Sequence, residues 1–229
     1  MLTLTMIQKS MGFPTGERYK GTAEQNAHLE RTYLRKVQHL NEKGTAIWNG
    51  EFGPVYADPR ADAEASAINQ ERYNLLGEQL RIYDKYNIHW SIWLYKDIGL
   101  QGMIYTNPDS KWNKTIQPFL EKKNHFWLDC WGRRPSAEPE AALRPLVEWI
   151  DKVSPQAKET YPTPWNTERH LLRNVFQTFL AASFADEFAD LFRVMNEEEL
   201  DSLARSFHFE ECVQRDGLNE ILREHAHAR

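Results

Sequence analysis

The first 105 residues switch repeatedly between short apolar runs and stretches of helical periodicity, and this alternation is the strongest constraint on the fold. Residues 2 to 7 alternate as a strand does, and Gly12 to Gly16 then break regular structure. From Thr22, Leu29, Tyr33, Val37 and Leu40 recur at helical spacing, with Gly44 where a helix would be closed. Thr45 to Trp48 reads as a short buried strand, ended by Gly50, Gly53 and Pro54. From about Ala63 to Tyr86, Ile68, Leu75, Leu76, Leu80 and Tyr83 form a second helical stripe. Ile88 to Tyr95, rich in β-branched and aromatic residues, is a third strand. The order strand, helix, strand, helix, strand predicts an α/β fold whose parallel strands are joined by helical crossovers. In such sheets, reacting groups gather at the carboxyl ends of the strands, where Glu51 and the pair Lys96 and Asp97 fall.

Beyond Thr106 the strand alternation stops, and prolines from Pro108 to Pro164 punctuate short segments. Helices are expected over about Thr167 to Met195 and Asn196 to Phe207, the second capped by Asn196 with Glu199 three positions on. The expected organisation is an α/β region over residues 1–132 and a mainly helical extension over 133–229. No internal repeat or low-complexity tract is evident.

With 229 residues, 41% of them hydrophobic, the chain can bury a real core. Its 28 basic residues against 33 acidic ones make no electrostatic case for nucleic acid or an anionic membrane as partner. No apolar run approaches the roughly 18 residues a bilayer span requires, so a soluble protein is expected. The first residues lack the marks of a secretory signal; if Met1 is the true start, a cytoplasmic location follows. Cys130 and Cys212 lack the spacing of a metal site or disulfide framework and read as buried thiols. His225 and His227 read as a frayed tail, so neither a metal nor a cofactor is expected. Asn113-Lys114-Thr115 fits a glycosylation acceptor, a triplet that also arises by chance.

An isolated carboxylate near a strand end is usually a surface or loop-anchoring group. Around Glu51, however, Gly50 and Gly53 permit tight turning and close approach of a ligand, and Trp48 and Phe52 offer apolar walls. These residues belong to a longer pattern. WNGEFGPVY at 48–56 and WSIWLYKDIGLQGMIY at 90–105 resemble the last two strands of fungal glycoside hydrolase family 5 proteins. GFPTGERYKGT at 12–22 resembles the loop after their sixth strand, and FWLDCWG at 126–132 their C-terminal segment.

The resemblance implies a (β/α)₈ TIM barrel that cleaves β-glycosidic bonds with retention of configuration, without a cofactor. Glu51 matches the nucleophile of that chemistry. A retaining enzyme sets an ionised carboxylate beside the anomeric carbon and a protonated carboxyl about 5 Å away to protonate the leaving oxygen. Trp93 matches the tryptophan that stacks under the sugar, and Lys96 and Asp97 match positions that contact sugar hydroxyls. Asn49 and Tyr56 are expected beside the nucleophile as supporting substrate-binding groups. Outside the resemblance, Trp90 and Trp93 read equally well as core aromatics, and Lys96 with Asp97 as a solvated ion pair.

Much of the family pattern has no match. Three strands are legible where the barrel has eight, and the Asn-Glu pair that supplies the acid/base at the fourth strand has no counterpart. Thr5-Met6-Ile7-Gln8 stands where the family carries a His and a Tyr facing the sugar. A three-strand piece of a barrel leaves open apolar edges, which favour self-association or pairing with a complementing chain. The expectation is therefore the C-terminal part of a glycosidase acting on β-glucosidic bonds, truncated and inactive alone. The alternatives are a non-catalytic glycan-binding remnant or half-barrel that associates with another chain, and an unrelated α/β domain.

Overall fold

The structure is a computed structural model that describes residues 18–59, 63–99, 101–128, 136–156 and 166–226. It is mostly helical with a few short strands, α/β in character. Two compact units make it up, one running to Ser110 and resuming at Arg205, the other spanning Lys111–Ala204. The strand expected at residues 2–7, the Gly12–Gly16 break and the division at residue 132 all lie outside the described residues.

The first unit begins with α1 (Ala23–Glu42). Thr22 starts it with a capping box: its hydroxyl accepts from the Gln25 amide at 3.2 Å, and the Gln25 side chain accepts from the Thr22 amide at 3.4 Å. Gly44, at φ +62°, closes the helix as the sequence predicts, its N–H donating to Asn41 at 3.1 Å. Leu29 and Val37 face inward, but Leu40 is exposed, so the apolar stripe ends one turn earlier than expected.

Strand β1 (Trp48–Phe52) lies parallel to β2 (His89–Ile92), with Trp48 opposite His89 and Asn49 opposite Trp90. The register slips between Asn49 and Phe52, which lets the two-residue step Gly50-Glu51 bulge. This strand starts three residues later than the sequence suggests, and it is not buried: Trp48 is 68% exposed. The reason is its setting, since among the described residues β1 has β2 as its one ladder partner. Between the strands runs α2 (Ala65–Lys85), which buries Leu75, Leu76, Leu80, Ile82 and Tyr83. Asn69 on α2 fastens the connecting loop, accepting from the Ala57 amide at 2.7 Å and donating to the Ala57 carbonyl at 3.0 Å. Buried Arg72 donates to the Val55 carbonyl of the same loop.

After β2 the alternation of strands with crossover helices stops. A three-stranded sheet is built from β3 (Lys96–Asp97), β4 (Ile104–Thr106) and β5 (Cys212–Gln214), with β4 in the middle and β5 antiparallel to it. Neither β4 nor β5 is foreseen from the sequence, because each is only three residues long, and β5 has its partner far earlier in the chain. The closing helix α9 (Asp216–Ala226) packs Leu218 and Leu222 into the core formed by Tyr56, Leu76, Leu80, Tyr83 and Ile88. Its Gly217 is required by contact, since a Cβ there would stand 2.8 Å from the Tyr73 ring. His225, expected in a frayed tail, instead meets Asp84 of α2 through Nδ1, an ordered contact that the helical face of α9 creates. His227 lies outside the described residues.

In the second unit, α3 (Lys111–His125) pairs with α7 (Ala185–Arg193) through aromatic stacking. Trp112 meets Phe192 at 5.5 Å, Phe119 meets Phe188 at 5.0 Å and Phe126 meets Phe184 at 6.3 Å between ring centroids. The ascending numbers on one side meet descending ones on the other, so the seam is antiparallel. Lys122 crosses it to Glu187 at 2.5 Å. Helix α4 (Ala137–Val153) is tied to α5 (Thr167–Leu171) by the Thr167 hydroxyl donating to Asp151 at 3.0 Å.

The single helix expected over 167–195 is divided. A π-helical stretch, Leu172–Leu180, follows α5, then α6 (Ala181–Ser183), and Phe184 breaks the run before α7. Hydroxyls of Thr178 and Ser183 donate to the carbonyls of Arg173 and Leu180, competing with the regular ladder. The last helix of this part, α8 (Glu197–Arg205), begins as predicted: Glu199 N–H donates to Asn196 Oδ1 at 3.0 Å, and the Asn196 amide donates back to Glu199 at 2.9 Å. Among the described residues, no helix is long and apolar enough to cross a membrane.

Candidate active site

Because β1 and β2 are parallel neighbours, their carboxyl ends present side by side whatever follows each strand. Glu51 sits at the end of β1 with its side chain exposed, and Trp93 comes directly after β2 with 45% of its surface exposed. Two backbone features bring these ends close. The Trp93 amide donates to the Phe52 carbonyl at 2.7 Å, and Gly53, at φ +150°, passes so near that a Cβ on it would stand 2.6 Å from the Trp93 carbonyl oxygen. Only glycine satisfies both that dihedral and that approach. The peptide bond from Trp93 to Leu94 is cis.

The other sequence-predicted residues go elsewhere. Asn49 points to the helix layer and donates to the Tyr83 hydroxyl at 2.8 Å, which Gln79 also reaches at 2.6 Å. Burial raises the Tyr83 phenol above its ordinary pKa, and the donors Gln79 and Asn49 pull it partly back. Tyr56 is 3% exposed, in the core, its hydroxyl without a hydrogen-bond partner among the described residues. Burial pushes that phenol up as well, and its place in the core keeps it from a surface ligand. Lys96 and Asp97 are not a mutual pair. Lys96 donates to the Phe207 carbonyl and lies 5.7 Å from the Phe207 ring centroid. Asp97 accepts the Gln101 amide at 2.6 Å within its own loop. Cys212 is half-buried at the head of β5, and Cys130 lies outside the described residues.

Arg215, which the sequence pattern does not single out, is buried against the loop that follows Trp93. It is 8% exposed and donates to the carbonyls of Gly102 at 3.1 Å, Gly99 at 3.2 Å and Gln101 at 3.4 Å. Its guanidinium lies 3.9 Å from the Tyr56 ring centroid and 4.4 Å from that of Tyr105. No local pattern announces it, because its partners lie more than 110 residues earlier. Among the described residues, no group of three or more His, Cys, Asp or Glu side chains could hold a metal ion.

Glu51 and Trp93 thus stand as an exposed carboxylate and an exposed aromatic residue at adjacent strand ends. The sequence is similar to a protein named beta-xylosidase from Phanerodontia chrysosporium, with 40% identity over 219 residues. That match takes in 94% of this chain and 46% of the relative, so the chain spans about half the length of the curated relative it matches. No family model matches the chain, and no solved structure matches it.

Proposed function

We propose that this chain is part of a retaining glycoside hydrolase of the family 5 type, acting on β-linked xylose. In this reading, Glu51 attacks the anomeric carbon and Trp93 carries the sugar. The observation that supports it is the placement of Glu51 and Trp93 at the ends of neighbouring parallel strands, joined by the hydrogen bond from the Trp93 amide to the Phe52 carbonyl. The xylose preference comes from the name of the relative. The full barrel, with the acid/base carboxyl on a strand this sequence does not contain, belongs to the same proposal.

Chemically, the Glu51 carboxylate forms a bond to the anomeric carbon as the bond to the leaving oxygen breaks, and the leaving group departs with that electron pair. An ordinary alcohol leaving group needs a proton from the second carboxyl as it goes. A dinitrophenolate does not. This allows the nucleophile to be tested without its partner. Incubation with 2,4-dinitrophenyl 2-deoxy-2-fluoro-β-xyloside, whose fluorine slows breakdown of the covalent intermediate, is expected to add one fluoroxylosyl group to the peptide containing Glu51, read by mass spectrometry. The Glu51→Gln protein is expected to remain unlabelled. Label on another residue, or none on a folded wild-type chain, would remove Glu51 from the reaction.

The exposure of the Trp93 indole also fits a glycan-binding remnant without turnover. That reading predicts xylo-oligosaccharide binding that survives Glu51→Gln and is lost in Trp93→Ala, with no covalent labelling.

A further inference from the structure

The Arg215 side chain touches both loops that follow the two strand ends. Downstream of Glu51, the chain passes Gly53 and reaches Tyr56. Downstream of Trp93, it passes Lys96, Asp97 and Gly99, and from Gln101 and Gly102 it continues into β4. Arg215 lies between these two paths, its guanidinium against the Tyr56 ring from the first and its N–H groups on three carbonyls of the second. Its own backbone N–H donates to the Met103 carbonyl at 2.9 Å, while the Met103 amide donates to the Leu94 carbonyl at 3.0 Å, one residue beyond Trp93. A continuous set of hydrogen bonds therefore runs from Arg215 to the residue next to the indole.

We propose that Arg215 is a positioning residue that clamps the loop after Glu51 to the loop after Trp93, and so sets the spacing of the two groups at the strand ends. The chemistry suits arginine and not lysine. A planar guanidinium can lie flat on Tyr56 and Tyr105 while its edge serves several carbonyls, whereas an ammonium keeps the charge but loses the plane and the fork. The loop is made to receive it. Gly102, at φ +90°, leaves no room for a Cβ, which would stand 2.6 Å from the Ile104 carbonyl oxygen and 2.9 Å from the Asp97 amide nitrogen. Asp97 fastens the same turn from inside through the Gln101 amide. The part of the proposal that concerns sugar affinity rests on the glycosidase reading; the clamp itself does not.

The test uses the whole chain labelled with 5-fluorotryptophan, the Trp93 fluorine resonance being assigned by its loss in Trp93→Phe. In Arg215→Lys, the Trp93 resonance is expected to shift or broaden well below the melting temperature, while those of Trp112 and Trp149 in the second unit stay in place. Xylobiose affinity should fall about tenfold in the same variant. Tyr105→Leu removes one ring of the sandwich but keeps the three donated bonds, and it should move the Trp93 resonance less and in the same direction. It also decides the question if Arg215→Lys fails to fold. An unmoved Trp93 resonance in the folded variants overturns the clamp. A Trp93 resonance that moves, in a protein that never binds xylobiose, supports the clamp and overturns the glycosidase reading.

Discussion

Gly53 shows how much one residue can decide at this face. Its dihedral and its approach to the Trp93 carbonyl both exclude a side chain, so Gly53→Ala must push the ends of β1 and β2 apart. The expected cost is about 2 kcal/mol or more, measured by urea denaturation, with a shifted Trp93 fluorine resonance in whatever remains folded. Tyr83 is a milder case. Its hydroxyl accepts from Asn49 and Gln79, and Tyr83→Phe removes both bonds while keeping the ring that packs edge-on against Phe52. A loss of about 1 kcal/mol is expected, since both amides line an open cleft and can turn away from the lost hydroxyl. Glu30 supplies a pH signature. Hydrogen bonds from Lys85 and then Tyr86, both to the same carboxylate oxygen, hold its carboxyl below the ordinary value. A lowered folded-state pKa means stability that is present above the unfolded pKa of about 4.3 and lost as the pH falls through the folded value. Wild type should therefore melt higher than Glu30→Gln at pH 7, and the gap should close as the pH drops below about 4. A gap that persists at acid pH would show that the carboxylate charge plays no part.

Among the elements, those set by local chemistry are legible in the amino-acid sequence. Thr22 with Gln25, Gly44, and Asn196 with Glu199 each carry their helix end within three or four residues, and the helix stripe from Leu75 to Tyr83 is continuous in sequence. The strands that carry Glu51 and Trp93 are legible for a similar reason, since each has its own local signature, whereas the roles proposed for the two residues come from the family resemblance. What is not legible depends on distance along the chain. β5 is three residues that become a strand only against β4, about a hundred residues earlier, and Arg215 has meaning only beside the loop it holds. Lys96 and Asp97 mislead because neighbours of opposite charge suggest a pair or a polar surface, whereas Phe207 and Gln101 claim them separately. Helix α9 is a third case, polar enough to pass for a tail yet fixed to α2 by Leu218, Leu222 and His225. Leu222→Ala should cost about 2–4 kcal/mol in the transition that reports the first unit, whereas Phe179→Ser, at a side chain exposed in the second, should cost about 0.5 kcal/mol or less. Equal effects of the two substitutions would mean that α9 is not part of the core.

At the scale of the whole molecule, the proposed chemistry divides between the nucleophile Glu51 and an acid/base carboxyl that the proposal assigns to another stretch of polypeptide. A nucleophile alone can displace a leaving group that needs no proton. It cannot expel an alkoxide at a useful rate, and without the same carboxyl as base the glycosyl-enzyme is not hydrolysed, because a positioned general acid or base contributes about 10²–10⁴-fold to such a step. In the proposed barrel, the remaining strands would also complete the enclosure that lets a carboxylate act on the anomeric carbon away from bulk water. The isolated chain is accordingly expected to hydrolyse 4-nitrophenyl β-xyloside no faster than buffer, while still taking up the fluoroxylosyl label from the dinitrophenyl reagent. The ratio of the two rates is the informative quantity. In an enzyme with its acid in place, hydrolysis of the less activated xyloside would be Glu51-dependent and would fall at alkaline pH as that acid ionised. Such turnover from this chain alone would mean that a second carboxyl within the sequence supplies the proton, and the division of the catalytic pair between two stretches of polypeptide would have to be given up.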